Sequence, residues 1–162
     1  INVDFNKAEK SNIISTQFKL DRCLIPCDGF YFWKNFSKKE KTPYYFQYTK
    51  EKLIYCVGIR ETFQDFSGNS FKYFYFLTDQ STEKWKKFTP KIPILFDIRY
   101  LDIWFSKTTS INKISSFINP IKFDDFNFYT VSPYFENNNR DDISLINPSN
   151  NLNQYGNYSL FD

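Results

Sequence analysis

The 162 residues amount to about one domain, 41% apolar and 22% aromatic with 20 Phe and 12 Tyr, and that much ring surface excludes a disordered chain. No apolar run approaches the roughly 20 residues of a membrane-spanning helix, and a net charge of +3, with 17 Lys and 4 Arg, permits a polyanionic partner without demanding one. The chain contains no histidine, so serine-type triads, histidine-ligated zinc and imidazole proton shuttles are closed to its own side chains.

In chain order, residues 8–21 set Ile14 and Phe18 at helical spacing and predict a short helix ending before Arg22. Residues 22–33 read as two apolar strands broken between Pro26 and Gly29, where Asp28-Gly29 suits a turn or a bulge. Residues 34–42 form a basic loop. Pro43–Tyr48 and Leu53–Glu61 are β-rich and joined by a charged turn at Lys50-Glu51-Lys52. Ser67-Gly68-Asn69 is a hairpin tip, and Phe71–Thr78 is a strand with aromatic side chains on both faces.

From Asp79 the pattern changes. Asp79 is a candidate cap for a short helix through Lys87, Pro93–Phe96 is a short strand, and Asp97 caps a second helix carrying Ile98, Leu101, Ile103 and Trp104. Ser110 caps a third helix, with Ile111, Ile114 and Phe117 on one face. Ile121–Val131 reads as a final strand, and the asparagine-rich segments beyond Pro133 read as loop, with residues 149–162 as a tail. The sum is one α+β domain over residues 1–148, with a curved, mainly antiparallel, barrel-like sheet and a few short flanking helices.

Cys23 and Cys27, read as lying on one strand, would stand about 13 Å apart, too far to bridge. With Cys56 they are small thiols of a reducing, intracellular compartment, and no metal or other cofactor is expected. Nothing in Ile1–Lys10 reads as a signal peptide. The absence of Met, even at position 1, suggests that a segment lies upstream. The pairs Asp124-Asp125 and Asp141-Asp142 are adjacent in sequence; on a strand such neighbours face opposite ways, so surface acid explains them better than a metal or hydrolytic site.

Several blocks together resemble the SRAP family of abasic-site-shielding proteins. They are Arg22-Cys-Leu-Ile-Pro-Cys-Asp-Gly-Phe-Tyr-Phe-Trp-Lys34, Thr42-Pro-Tyr-Tyr-Phe46, Cys56-Val-Gly-Ile-Arg-Glu61, Phe76-Leu-Thr78, Ile92-Pro-Ile-Leu95, Val131-Ser132 and Leu145-Ile-Asn-Pro148. Ile1-Asn2 is similar to the segment that carries the family's Asn-Ala-Arg motif. The resemblance implies an N-terminal Cys whose amine and thiol trap the aldehyde of an abasic site in single-stranded DNA. It also implies an Asn that positions the sugar, a Glu and a His for proton transfer, and basic and aromatic side chains that hold the strand.

Position by position, most of that apparatus is missing. Asn2 matches the Asn, but Phe32 stands where the Glu belongs, Thr89 lies near the lost His, and the Cys would lie upstream of this chain. Asp4 replaces the family Arg and reverses the charge, and Arg60 replaces a tryptophan. No catalytic residue is therefore assigned. The expectation is a degenerate member, inactive in abasic-site crosslinking, serving as a nucleic-acid-binding or structural subunit of a larger assembly. The alternative is an active abasic-site crosslinking protein seen as an N-terminally truncated fragment.

The binding candidates are Asn2, Trp33, Lys34, Lys87 and Lys91, with Lys38, Lys39, Lys41 and Lys86 nearby, read as a basic groove around a stacking ring for single-stranded nucleic acid. Against this, the same residues read as a core tryptophan and an ordinary solvated face. If the family's N-terminal strands are missing, an exposed sheet edge calls for a protein partner; no membrane insertion is expected.

Overall fold

The computed structural model describes residues 2–5, 21–37, 41–50, 53–137 and 139–149. The expected helix over 8–21, most of the turn at 50–52, Lys38, Lys39 and most of the tail lie outside them. Nine strands form two hydrogen-bonded sheets among the described residues. The first contains β1 (Asn2–Asp4), β2 (Arg22–Cys27), β5 (Ile54–Gln64), β6 (Ser70–Gln80), β7 (Lys91–Phe96) and β8 (Ile118–Pro120). Its order is β1-β6-β5-β7-β8, with β2 branching from the first half of β5. The second is β3 (Gly29–Asn35), β4 (Lys41–Tyr48) and β9 (Phe126–Thr130), in the order β3-β4-β9. All pairings are antiparallel except β1 with β6. The mixed, mainly antiparallel architecture is the one expected, but its strands divide between two sheets and do not close into a barrel.

Local chemistry places the breaks. Pro26 lacks a backbone donor and sits on β2, which pairs with β5 alone among the described residues. Asp28 is neither a hairpin turn nor a bulge: it is the single residue at which the chain leaves one sheet and enters the other. Gly29 is required there, because a Cβ would lie 2.4 Å from the Phe46 carbonyl oxygen. The tip between β5 and β6 is the expected one. Gly68 adopts φ 83°, and the Asp65 carboxylate accepts from the backbone N–H groups of Ser67 and Asn69.

Other expectations are corrected. Asp79 caps no helix: it pairs with Ile92 in the β6–β7 ladder, and only a 3₁₀ turn, Trp85–Lys87, follows. The basic loop is shorter than 34–42, since β3 runs to Asn35 and β4 starts at Lys41. Residues 121–131 hold a 3₁₀ turn, Phe123–Asp125, before β9, and β8 precedes them. Asp97 and Ser110 do cap as expected, accepting from Arg99 and Lys113 N–H groups, ahead of helices α1 (Leu101–Phe105) and α2 (Ile111–Ser115). Beyond Pro133 the chain forms two 3₁₀ turns, and Val131 bridges to Pro148.

Two cores result. Val57, Ile59, Leu77, Ile94 and Phe96 pack against Trp104, Ile114 and Ile118. The buried Arg22 fastens β2 to this layer by donating to the carbonyls of Trp104 and Ser106 at the end of α1. Between the sheets lies an aromatic core centred on Phe46, which is 0% exposed and touches Phe32, Trp85, Phe88, Phe123 and Phe128 at centroid distances of 4.9–6.0 Å. Edge-on ring pairs of this kind add to burial. Replacing Phe46 by Ala should cost about 3–5 kcal/mol, whereas replacing the exposed Lys86, paired only with Glu83 across its own turn, should cost less than about 1 kcal/mol. Urea unfolding midpoints check the contrast, and equal midpoints for the two variants would contradict this account of the core.

Candidate nucleic-acid interface

Strand alternation in β3 separates two of the residues expected to share a groove. Trp33 faces away from the aromatic core. Its indole N–H donates to Glu136 at 2.8 Å, Phe135 lies 5.8 Å away, and the Lys41 ammonium sits 3.9 Å from its ring centroid. It is half-buried, so it is neither a core residue nor a fully open stacking ring.

Lys34 points the other way, toward the aromatic core. Its ammonium lies 4.8 Å from the Phe36 ring, 5.7 Å from Phe88 and 6.0 Å from Tyr44. Phe36 is 52% exposed and Phe128, which packs on Tyr44 and Phe88, is 43% exposed. Lys87 is exposed beside Phe88 and joins none of the ion pairs among the described residues. The structure thus gathers Lys34, Phe36, Tyr44, Phe88 and Phe128 into a ring-floored ledge with one ammonium over it. The sequence offers the aromatic strand Tyr44-Tyr45-Phe46 as a stacking platform but does not single out Phe36, Phe88 or Phe128, although Phe128 lies on a strand whose period-two pattern places it on this face.

Phe32 lies deeper on the same face, with its ring 5.5 Å from Phe46 and 5.6 Å from Trp85. The residue directly opposite it on β4 is Tyr44. Thr89 does no more than shape its own turn: its hydroxyl donates to the Lys91 carbonyl and accepts from the Lys91 N–H. At β1, Asn2 stands in register with Phe76 and Asp4 with Thr78.

Asp4 is only 7% exposed and has polar partners: Gln80 donates to its carboxyl group at 3.1 Å and the Lys91 ammonium lies 3.7 Å away. Lys91 is therefore held by an acid and is not presented as an unpaired cation. Lys50 and Lys84 are likewise engaged, with Asp125 and Asp124 respectively. These two acids hold separate lysines and do not converge, as expected of surface acid. Asp142 accepts from Arg140 and caps the turn Ile143–Ile146; Ser144 and Arg140 hold its carboxyl below the usual range.

All three cysteines are free. Cys27 and Cys56 are in thiol contact across β2 and β5, and that contact together with burial pushes the Cys56 thiol far up. Among the described residues no group of three His, Cys, Asp or Glu side chains could hold a metal, and no helix is long and apolar enough to cross a membrane. A cleft of about 400 Å³ lined by Tyr48, Ile54, Leu95, Asp97, Arg99 and Lys122 contains none of the residues expected from sequence.

A family model described as SOS response associated peptidase (SRAP) matches residues 1–138. The abasic site processing protein YoaM of Bacillus subtilis is 25% identical over 132 residues, spanning 81% of this chain and 58% of that protein. YoqW, of the same bacterium and of Bacillus phage SPbeta, is 27% identical over 132 residues, spanning 80% of this chain and 54% of YoqW. The chain spans just over half the length of these curated relatives. Among solved structures, a Bacteroides thetaiotaomicron protein superposes with a TM-score of 0.78 at 17% identity, covering 92% of this chain and 66% of that one. A Bordetella bronchiseptica protein superposes at 0.65 and 14%, covering 80% and 64%. At such identities these two likenesses establish the fold alone.

The two lysines near Thr89 should respond differently to removal of charge. Lys91→Met removes the cation beside the nearly buried Asp4 carboxylate and should cost about 1–3 kcal/mol, below the range for a fully buried pair because Lys91 is partly exposed. Lys87→Met should stay within about 0.5 kcal/mol. Urea denaturation of both variants measures the difference, and an unchanged midpoint for Lys91→Met would show that the ion pair contributes nothing.

Proposed function

The chain belongs to the SRAP family, whose model covers residues 1–138, and on that premise we propose that it holds single-stranded nucleic acid without forming an abasic-site crosslink. The observation that carries the reading is the setting of Phe32. A proton-handling carboxylate is expected there from the family pattern, and instead an apolar ring packs on Phe46 and Trp85. A ring cannot accept or donate the proton that ring opening of the sugar requires. No histidine exists anywhere in the chain to take over.

Binding survives the loss of chemistry because it uses different groups. Lys34 over Phe36, Tyr44 and Phe88, with the exposed Lys87 next to Phe88 in the chain, supplies what non-sequence-specific strand binding needs: cations for phosphates and ring faces for bases. Asp4, by engaging Lys91, withdraws one cation from that task. The names of the relatives, abasic site processing proteins, support a role in the DNA damage response, and free thiols suit a reducing intracellular compartment. A purely structural role as a subunit has its own supporting observation: β1 pairs on one side only among the described residues, leaving a strand edge for a neighbour.

Incubation with single-stranded DNA carrying an abasic site should leave no protein–DNA band on a denaturing gel; a stable band would restore the active-fragment alternative. Fluorescence anisotropy with an unmodified oligonucleotide should show affinity falling as salt rises, and Lys34→Ala should reduce the salt slope by about 1. Absence of salt-sensitive binding at low ionic strength would leave the subunit role.

A further inference from the structure

The β5–β6 hairpin extends beyond the sheet body with five large apolar side chains exposed: Phe63, Phe66, Phe71, Tyr73 and Phe74. Cross-strand register sorts its two faces. Phe63 pairs with Phe71 and Glu61 with Tyr73 on one face, where Glu61 accepts from the Tyr75 hydroxyl. Arg60 pairs with Phe74 and Thr62 with Lys72 on the other. The second face is the one that leads toward the family site. Phe74 touches Phe76 edge-on at 5.7 Å, Phe76 packs in the same aromatic core as Phe32 and Phe88, and Phe76 is in register with Asn2. A groove of about 330 Å³ opens on this face, lined by Cys23, Ile25, Pro26, Arg60, Lys72 and Phe74.

We propose that this groove is a second strand-binding subsite, in which a nucleobase stacks on Phe74 while Lys72 and Arg60 meet the flanking phosphates. The inference rests on the strand-binding reading above and extends its footprint from the ledge to the hairpin. Three observations select nucleic acid over a protein as occupant. The floor of the groove is apolar and its rim carries two cations; among the described residues Asp21 is the acid that engages Arg60, at 3.1 Å with both side chains about half exposed, and Lys72 joins none of the ion pairs. Phe74 is 53% exposed, which offers a ring face to a flat partner. Phe74 also touches Phe76, which stands in register with Asn2, so the groove lies on the same strand face as the β1 end of the sheet. A tryptophan is the family residue at position 60, so Arg60 exchanges an aromatic for a charge beside Phe74.

Two oligothymidylates test this, one of about 5 nucleotides, short enough to fill the ledge alone, and one of about 16. The wild-type chain should bind the longer one more tightly. Phe74→Ala should weaken the longer complex by about fivefold to 100-fold, as expected for losing one base–aromatic stack, and leave the shorter one within about twofold. Phe74→Trp should retain affinity, and its indole emission should be quenched by the longer oligonucleotide. Lys72→Glu should weaken the longer complex and reduce its salt slope. Equal affinity of wild type and Phe74→Ala for the longer oligonucleotide, with wild type still binding both in a salt-sensitive way, would overturn the hairpin subsite and leave the ledge reading intact. Binding of neither oligonucleotide by wild type would overturn both readings. Self-association of wild type that Phe74→Ala abolishes, with oligonucleotide affinity unchanged, would overturn the subsite in favour of a protein contact.

Discussion

The packing around Phe46 is the constraint from which the rest of the molecule follows. One fully buried ring on β4 touches Phe32 of β3, Phe128 of β9 and, outside the strands, Trp85, Phe88 and Phe123, so β3, β4, β9 and the Trp85–Lys87 turn all meet there. Interiors of this density tolerate little change in volume or polarity. Gly29 is fixed because its neighbour is the Phe46 carbonyl, and the chain can pass between sheets at Asp28 because Gly29 allows so close an approach. Residue 32 is held by the same core. A carboxylate there would need partners that rings do not supply and would lose its charge to desolvation. Packing at residue 32 and the absence of a carboxylate there thus have one physical cause.

Several cations among the described residues are engaged by nearby acids. Lys50, Lys84, Lys86, Lys91, Arg60, Arg99 and Arg140 each face an acid. Exposed pairs of this kind stabilise little, yet they decide which cations are presented to a polyanion. Net charge is consequently a poor guide to the binding face. Lys34 differs in kind, because rings surround its ammonium and its charge stays directed outward from an aromatic floor.

What could be read in the sequence was local. The tip at Gly68, the caps at Asp97 and Ser110 and the breaks near Pro26 and Gly29 are all set by one or two neighbouring residues, and a turn or cap is chemistry over a few bonds. Asp79 misled because a capping residue is also a permissible strand residue, and the ladder with β7 outweighed the local preference. The grouping of Trp33 with Lys34 failed for a reason the sequence does contain: adjacent strand residues face opposite ways, whereas Lys34 and Phe36 share a face. The Asp4–Lys91 pair was beyond reach, because nothing in either segment announces that β1 and β7 flank the same end of β6.

The pair at Asp4 makes two distant stretches of the sequence interdependent. Asp4 is nearly buried at the end of β1 and meets Lys91, itself partly exposed at the start of β7, across the end of β6. An arginine at position 4 would set two cations side by side there, whereas exchanging the two charges between the positions would keep their attraction. What one position accepts therefore depends on the residue at the other, so substitutions at these two sites are epistatic.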